Sequence, residues 1–77
     1  MGTKFYEVVY KQSENEWGAR PYTYKSDLDL RLKQRVYAPT YKNPLQEAMV
    51  VSVNCPEPGF ACKEITEIVA ETEEDDG

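Results

Sequence analysis

Histidine is absent from this 77-residue chain, cysteine occurs only twice and glycine four times, and no apolar run approaches the length of a membrane span. Each absence closes a class of function. Without histidine there is no Ser-His or Cys-His nucleophile pair, and two cysteines cannot supply the four Cys or His ligands of a structural zinc site. The glycines are too scattered for a phosphate-cradling loop. A bilayer span needs roughly 18 consecutive apolar residues. The start MGTKFYEVVY has no long apolar stretch of a secretory leader, and Tyr6 stands where a myristoylation pattern wants Ser or Thr. Small secreted scaffolds carry more bridges than one cysteine pair allows. These absences lead to an expectation of a soluble, cytoplasmic, non-catalytic protein, with no metal, cofactor or membrane partner. Cys55 and Cys62 are expected as free, partly buried thiols.

What is present is a small amount of everything a single domain needs. A chain this short buries about 60% of its unfolded surface and has no room for a second lobe. Its charge is uneven. Of 14 acidic side chains, Glu71, Glu73, Glu74, Asp75 and Asp76 supply five, so residues 1 to 70 balance 9 acids against 9 bases. Residues 20 to 42 hold Arg20, Lys25, Arg31, Lys33, Arg35 and Lys42 against Asp27 and Asp29, which makes the middle of the chain basic. The ending AETEEDDG has no apolar residue beyond Ala70 and reads as a solvated, disordered acidic tail over 71–77, after one domain over 1–70.

Short alternating segments dominate that domain. In KFYEVVY, Tyr6, Val8 and Tyr10 share one side of an extended chain, and the β-branched and aromatic content predicts a first strand. KQSENEWGAR, residues 11 to 20, reads as a long hairpin loop, and PYTYKS as a second strand with Tyr22 and Tyr24 on one face. DLDLRLK alternates Leu28, Leu30 and Leu32 with charged residues, which predicts an extended segment with its leucines inward. Arg35 to Ala38 reads as a third strand stopped by Pro39. Gln46 to Asn54 reads as a fourth, apolar on both faces as in the middle of a closed sheet. Pro56, Pro58 and Gly59 fix a loop. Residues 62 to 70 fit either one helical turn or a bulged closing strand. Together these predict a mostly all-β fold: a small closed or partly open β-barrel, SH3-like or OB-like, with a possible short C-terminal helix.

The run PYTYKSDLDLRLKQRVYAPTYKNPLQEAMVVSVN resembles the N-terminal domain of the primosomal replication-restart helicase family, primosomal protein N′. That family has an aromatic-acid-aromatic triplet, an alternating stretch, a glycine before an R-V-x-V-P-F-G strand and turn, and a V-V-V strand. FACKEITEIVAE is similar to its lysine-bearing closing segment. The resemblance implies a small β-barrel that binds the 3′ end of a DNA strand at a fork. It places Tyr22 and Tyr24 at the two aromatics and Lys63 at the basic residue of the terminal-nucleotide pocket. Thr23 stands in place of the acid, Tyr41 in place of the turn glycine, and Gln34 in place of the glycine before the third strand.

The residue chemistry bears on the same positions. An exposed tyrosine offers a base a stacking face, and a nearby Lys or Arg offers a phosphate a partner whose effect fades with salt. Tyr24, Tyr37, Tyr41, Arg35 and Lys42 supply both if they share a face. Tyr6 and Tyr10 read as core with hydroxyls reaching the rim, a reading that Tyr22 and Tyr24 also admit; Tyr37 and Tyr41 fit either role. The candidate nucleic-acid-binding set is therefore Tyr22, Thr23, Tyr24, Arg35, Tyr41, Lys42 and Lys63. The expected partner is single-stranded DNA or its 3′ end. A replication-related or phage-encoded protein, met through Trp17, Tyr37 and Tyr41, is the alternative. The acidic tail reads either as a cover for the basic patch or as a solubilising end.

Overall fold

The computed structural model describes residues 2–69, so the acidic tail expected over 71–77 lies outside the described residues. Among these residues the regular elements are all strands: β1 (Lys4–Ser13), β2 (Glu16–Trp17), β3 (Tyr22–Ser26), β4 (Arg35–Ala38), β5 (Gln46–Cys55) and β6 (Glu67–Ile68). No helix among them is long and apolar enough to cross a membrane.

β1 is the spine. It pairs antiparallel with β3 on one side, from Lys4 opposite Ser26 to Val8 opposite Tyr22, and with β5 on the other, from Phe5 opposite Cys55 to Tyr10 opposite Ala48. The β5 register shifts around Glu7, an irregularity of the kind that bends and further twists a strand. The far end of β1 folds back on β2 through a tight turn at Glu14 and Asn15, a shorter hairpin than the polar run 11–20 suggests. β4 lies between β5 and β6, and the antiparallel sheet is not closed.

Period-two alternation accounts for the core. Tyr6, Val8, Tyr24, Val36, Ala38, Ala48 and Val50 pack together with Leu30 and Ile65, all buried. β4 stops at Ala38 because Pro39 offers no backbone N–H to continue the ladder. The turn that follows closes on itself: Thr40 N–H donates to Asn43 O, Asn43 N–H to Thr40 Oγ1, and Leu45 N–H to Asn43 Oδ1.

Two expectations are corrected. The leucine alternation of residues 27–33 does not form a strand with all leucines inward. Leu30 is buried and Leu28 partly so, but Leu32 is 58% exposed. No ladder serves this segment's backbone; side chains do. Tyr6 Oη donates to Leu28 O and accepts from Leu30 N–H, while Ser26 Oγ accepts from Leu28 N–H. Lys33 then turns left-handed, at φ 69°, and donates to Val50 O, which returns the chain to β5.

The second correction concerns the possible C-terminal helix: residues 62–69 are extended. Ile65 N–H donates to Lys25 O, and Lys63 O accepts from Lys25 N–H, a parallel bridge to β3. Ser26 Oγ, fully buried, donates to Ile65 O. Four residues later Val69 N–H donates to Arg35 O at the start of β4. One short segment thus bonds to β3 and to β4, which flank the β1–β5 pair on opposite sides, and Ile65 fills the space between them. A helix would have to abandon these backbone bonds and lift Ile65 out of the core.

Candidate functional site

A groove of about 370 Å³ opens where the start of β3 meets the loop after β5. One wall is Arg20, Pro21, Tyr22 and Thr23; the other is Phe60, Ala61, Cys62 and Lys63. Tyr10 and Tyr24 complete it, and no carboxylate among the described residues lines it. The parallel bridge between Lys25 and Glu64 sets the two walls side by side, since it fixes Lys63 next to the middle of β3.

The tyrosines behave differently from one another. Tyr24 is 4% exposed, and its hydroxyl donates to Pro39 O at 2.7 Å. A phenol has one proton, so the 2.6 Å contact between the Tyr10 and Tyr24 hydroxyls has Tyr10 as donor. The result is a relay from Tyr10 through Tyr24 to the backbone of the β4–β5 turn. Burial, reinforced by the bond from Tyr10, pushes the Tyr24 phenol well above its ordinary value, so it stays neutral. Tyr24 is therefore groove floor and core, and the expectation of a stacking face there is corrected.

Tyr22 is 39% exposed and stacks on Tyr10, ring centroids 4.7 Å apart and planes 15° apart. The Arg20 guanidinium sits 5.7 Å from the Tyr22 centroid. With one ring face covered, Tyr22 serves as a rigid wall that carries a cation. The open aromatic face belongs to Phe60, 64% exposed in a loop built by Pro56, Pro58 and Gly59.

The structure brings Tyr22, Thr23, Tyr24 and Lys63 together in this groove and leaves the other three candidates outside it. Tyr41 is 95% exposed at the β4–β5 turn, with Lys42 exposed beside it. Arg35 lies on β4, 3.6 Å from the Glu47 carboxylate and 5.8 Å from the Trp17 ring centroid. Glu47 also takes Lys11 at 3.7 Å, so the Arg35 charge is partly answered by its own sheet. Tyr37 shares β4 with Arg35 but does not line the groove.

Arg20 and Phe60 escaped the sequence reading. Both carried a signal: Arg20 immediately precedes Pro21 and Tyr22, and Phe60 is an aromatic in a Pro and Gly loop where no strand could bury it. Cys55 and Cys62 are free and half-buried; burial, then the Glu7 charge, pushes the Cys55 thiol up. Among the described residues no group of three or more His, Cys, Asp or Glu side chains could hold a metal ion. We find no match to the chain among protein-family models, curated proteins or solved structures.

Proposed function

We propose that this chain is a non-catalytic module that binds the 3′ end of single-stranded DNA. The observation that carries the reading is the groove itself: an open aromatic face on Phe60 and two cations, Arg20 and Lys63, in a lining with no carboxylate among the described residues. A base on Phe60 gains about 1–3 kcal/mol of stacking, and the cations meet phosphate oxygens. Four of the lining residues, Tyr22, Thr23, Tyr24 and Lys63, are also those that the resemblance to the primosomal protein N′ domain marks. With Thr23 where that family has an acid, the hydroxyl offers a donor and an acceptor to a base edge without repelling a phosphate. A small-barrel architecture is supported by the bonds of residues 63–69 to both β3 and β4.

The test is an NMR titration at low salt with a short single strand bearing a free 3′ hydroxyl, and with the same strand blocked there. Shifts at Tyr22 to Tyr24 and at Phe60 to Lys63 that weaken on blocking support end binding. Absence of shifts with both strands rejects the DNA reading.

A protein-interaction role draws on a different observation, the outward side chains of Tyr41, Leu45 and Leu32, at 95%, 55% and 58% exposure. Salt separates the two. Phosphate-based binding weakens steeply between about 50 and 200 mM, whereas a contact centred on apolar side chains changes little.

A further inference from the structure

A second hollow, of about 230 Å³, adjoins the groove and shares Tyr10, Arg20 and Tyr22 with it. Its remaining lining is Gln12, Gly18 and Ala19, again with no carboxylate among the described residues. The Arg20–Tyr22 pair is therefore a ridge between two concavities. Tyr22 is held by its stack on Tyr10, and its ring holds the guanidinium at 5.7 Å. Gly18 is fixed by its N–H donating to Tyr10 O at 2.7 Å, and a Cβ at this position would come within 3.1 Å of the Gln12 amide nitrogen. Beyond the shared residues, the second hollow is thus walled by the Gln12 amide, by the backbone of Gly18 and by the small Ala19.

We infer that the site takes a dinucleotide step, not a single terminal nucleotide: one base in the groove against Phe60, the preceding base in the second hollow beside Gln12, and the linking phosphate on Arg20. This rests on the DNA reading above and extends it by a second subsite. The chemistry suits each part. A guanidinium presents several N–H donors in a fixed fork that matches phosphate oxygens, and one already seated on a ring loses less freedom on binding. A Gln amide offers both donor and acceptor to a base edge. A ridge with a cation on top, flanked by two hollows, repeats the order base, phosphate, base.

Three probes separate the parts on the full chain: thymidine, thymidine 5′-monophosphate and the dinucleotide d(TpT), each titrated by NMR at low salt. Thymidine is expected to shift the groove residues, Tyr22 to Tyr24 and Phe60 to Lys63, and to leave Gly18 and Ala19 unmoved. The monophosphate binds more tightly, in part through Arg20, and Arg20→Gln weakens the monophosphate more than it weakens thymidine. The dinucleotide, although it carries less charge than the monophosphate, binds on the order of tenfold more tightly than it and also shifts Gly18 and Ala19. Gln12→Ala reduces only that last gain.

Equal affinity for the monophosphate and d(TpT), with Gly18 and Ala19 unmoved, overturns the second subsite and leaves the DNA reading standing. An Arg20→Gln variant that weakens thymidine as much as the monophosphate overturns the phosphate role of Arg20. No response to any of the three probes overturns the inference together with the DNA reading. Arg20 is exposed and borders solvent, so the unchanged remainder of the spectrum serves as the check that the variant is folded.

Discussion

The β3 groove and the β4–β5 turn have nearly the same composition and opposite structures. Each offers tyrosine beside a basic residue near a proline: Arg20, Pro21 and Tyr22 in one, Pro39, Tyr41 and Lys42 in the other. In the groove, tyrosine rings stack on one another, one hydroxyl is buried, and a second segment of chain supplies Phe60 and Lys63 opposite. In the turn, Tyr41 projects into solvent and the hydrogen bonds run among Thr40, Asn43 and Leu45, so none of the described elements stands behind the ring. Side chains whose freedom is removed before a ligand arrives lose less on binding, and of these two regions the groove comes nearer to that condition. The same residue types on the turn stand exposed, without that fixing.

The contrast can be broken most sharply by stability. Tyr24→Ala removes a buried aromatic and orphans both the Tyr10 hydroxyl and Pro39 O, and is expected to cost about 3–5 kcal/mol in urea unfolding. Tyr41→Ala is expected to stay within about 0.5 kcal/mol of the parent. Comparable losses at the two positions would mean that the turn is as well packed as the groove.

Binding gives the next effect in size. Phe60→Ala is expected to weaken a short single strand by about 1–3 kcal/mol, and Lys63→Gln to weaken it and to lower the dependence on salt concentration by about 0.7 in log–log slope. Tyr41→Ala and Lys42→Gln should change affinity less than twofold. If the turn variants lose as much as the groove variants in a fluorescence anisotropy titration, the site has been put on the wrong side of the molecule.

The smallest effect lies in alkali. The Tyr24 phenol is raised by burial, so above the unfolded tyrosine value, about 10, the unfolded chain gives up a proton that the folded chain retains. Stability from this group is complete below pH 10 and falls above it, by at most about 1.4 kcal/mol per pH unit. Tyr24→Phe should remove that one-proton slope from urea midpoints followed between pH 9 and 11, while lowering stability at neutral pH through the orphaned Pro39 O. An unchanged slope would mean that the Tyr24 hydroxyl is not the group that titrates.

The fold was legible where a strand's own residues decide its state. β4 runs from Arg35 to Ala38, as its β-branched and aromatic residues and the stop at Pro39 predict; β5 buries Ala48 and Val50 on one face, while Val51 on the other face, expected to be covered too, is 38% exposed in a sheet that is not closed. Tyr6 and Val8 face inward as their spacing requires. Legibility failed where the partner lay elsewhere in the chain. Leu28, Leu30 and Leu32 alternate perfectly, yet the hydroxyls of Tyr6 and Ser26, more than 20 and two residues away from Leu28, take over the backbone groups that a strand would have paired. Half of the candidate site was found for the same reason that half was missed. Tyr22, Thr23 and Tyr24 are consecutive in β3, so any reading that finds one finds all three. Phe60 joins them across nearly forty residues, and Arg35, close to Tyr41 in sequence, faces Trp17 and Glu47 instead.

By itself the sequence determined the strand-forming segments, the residues that turn inward along them, the breaks at proline, and a basic middle beside an acidic end, because these depend on local sterics and on side-chain period. Tertiary structure alone decided which tyrosine is a wall, which a floor and which an exposed side chain on a turn. It decided too that residues 62–69 are extended, since Ile65 gains more from the space between β3 and β4 than a single isolated helical turn could return. Those outcomes turn on contacts between residues tens of positions apart, whose free energy exists only once the β1 spine has brought β3 and β5 to its two sides.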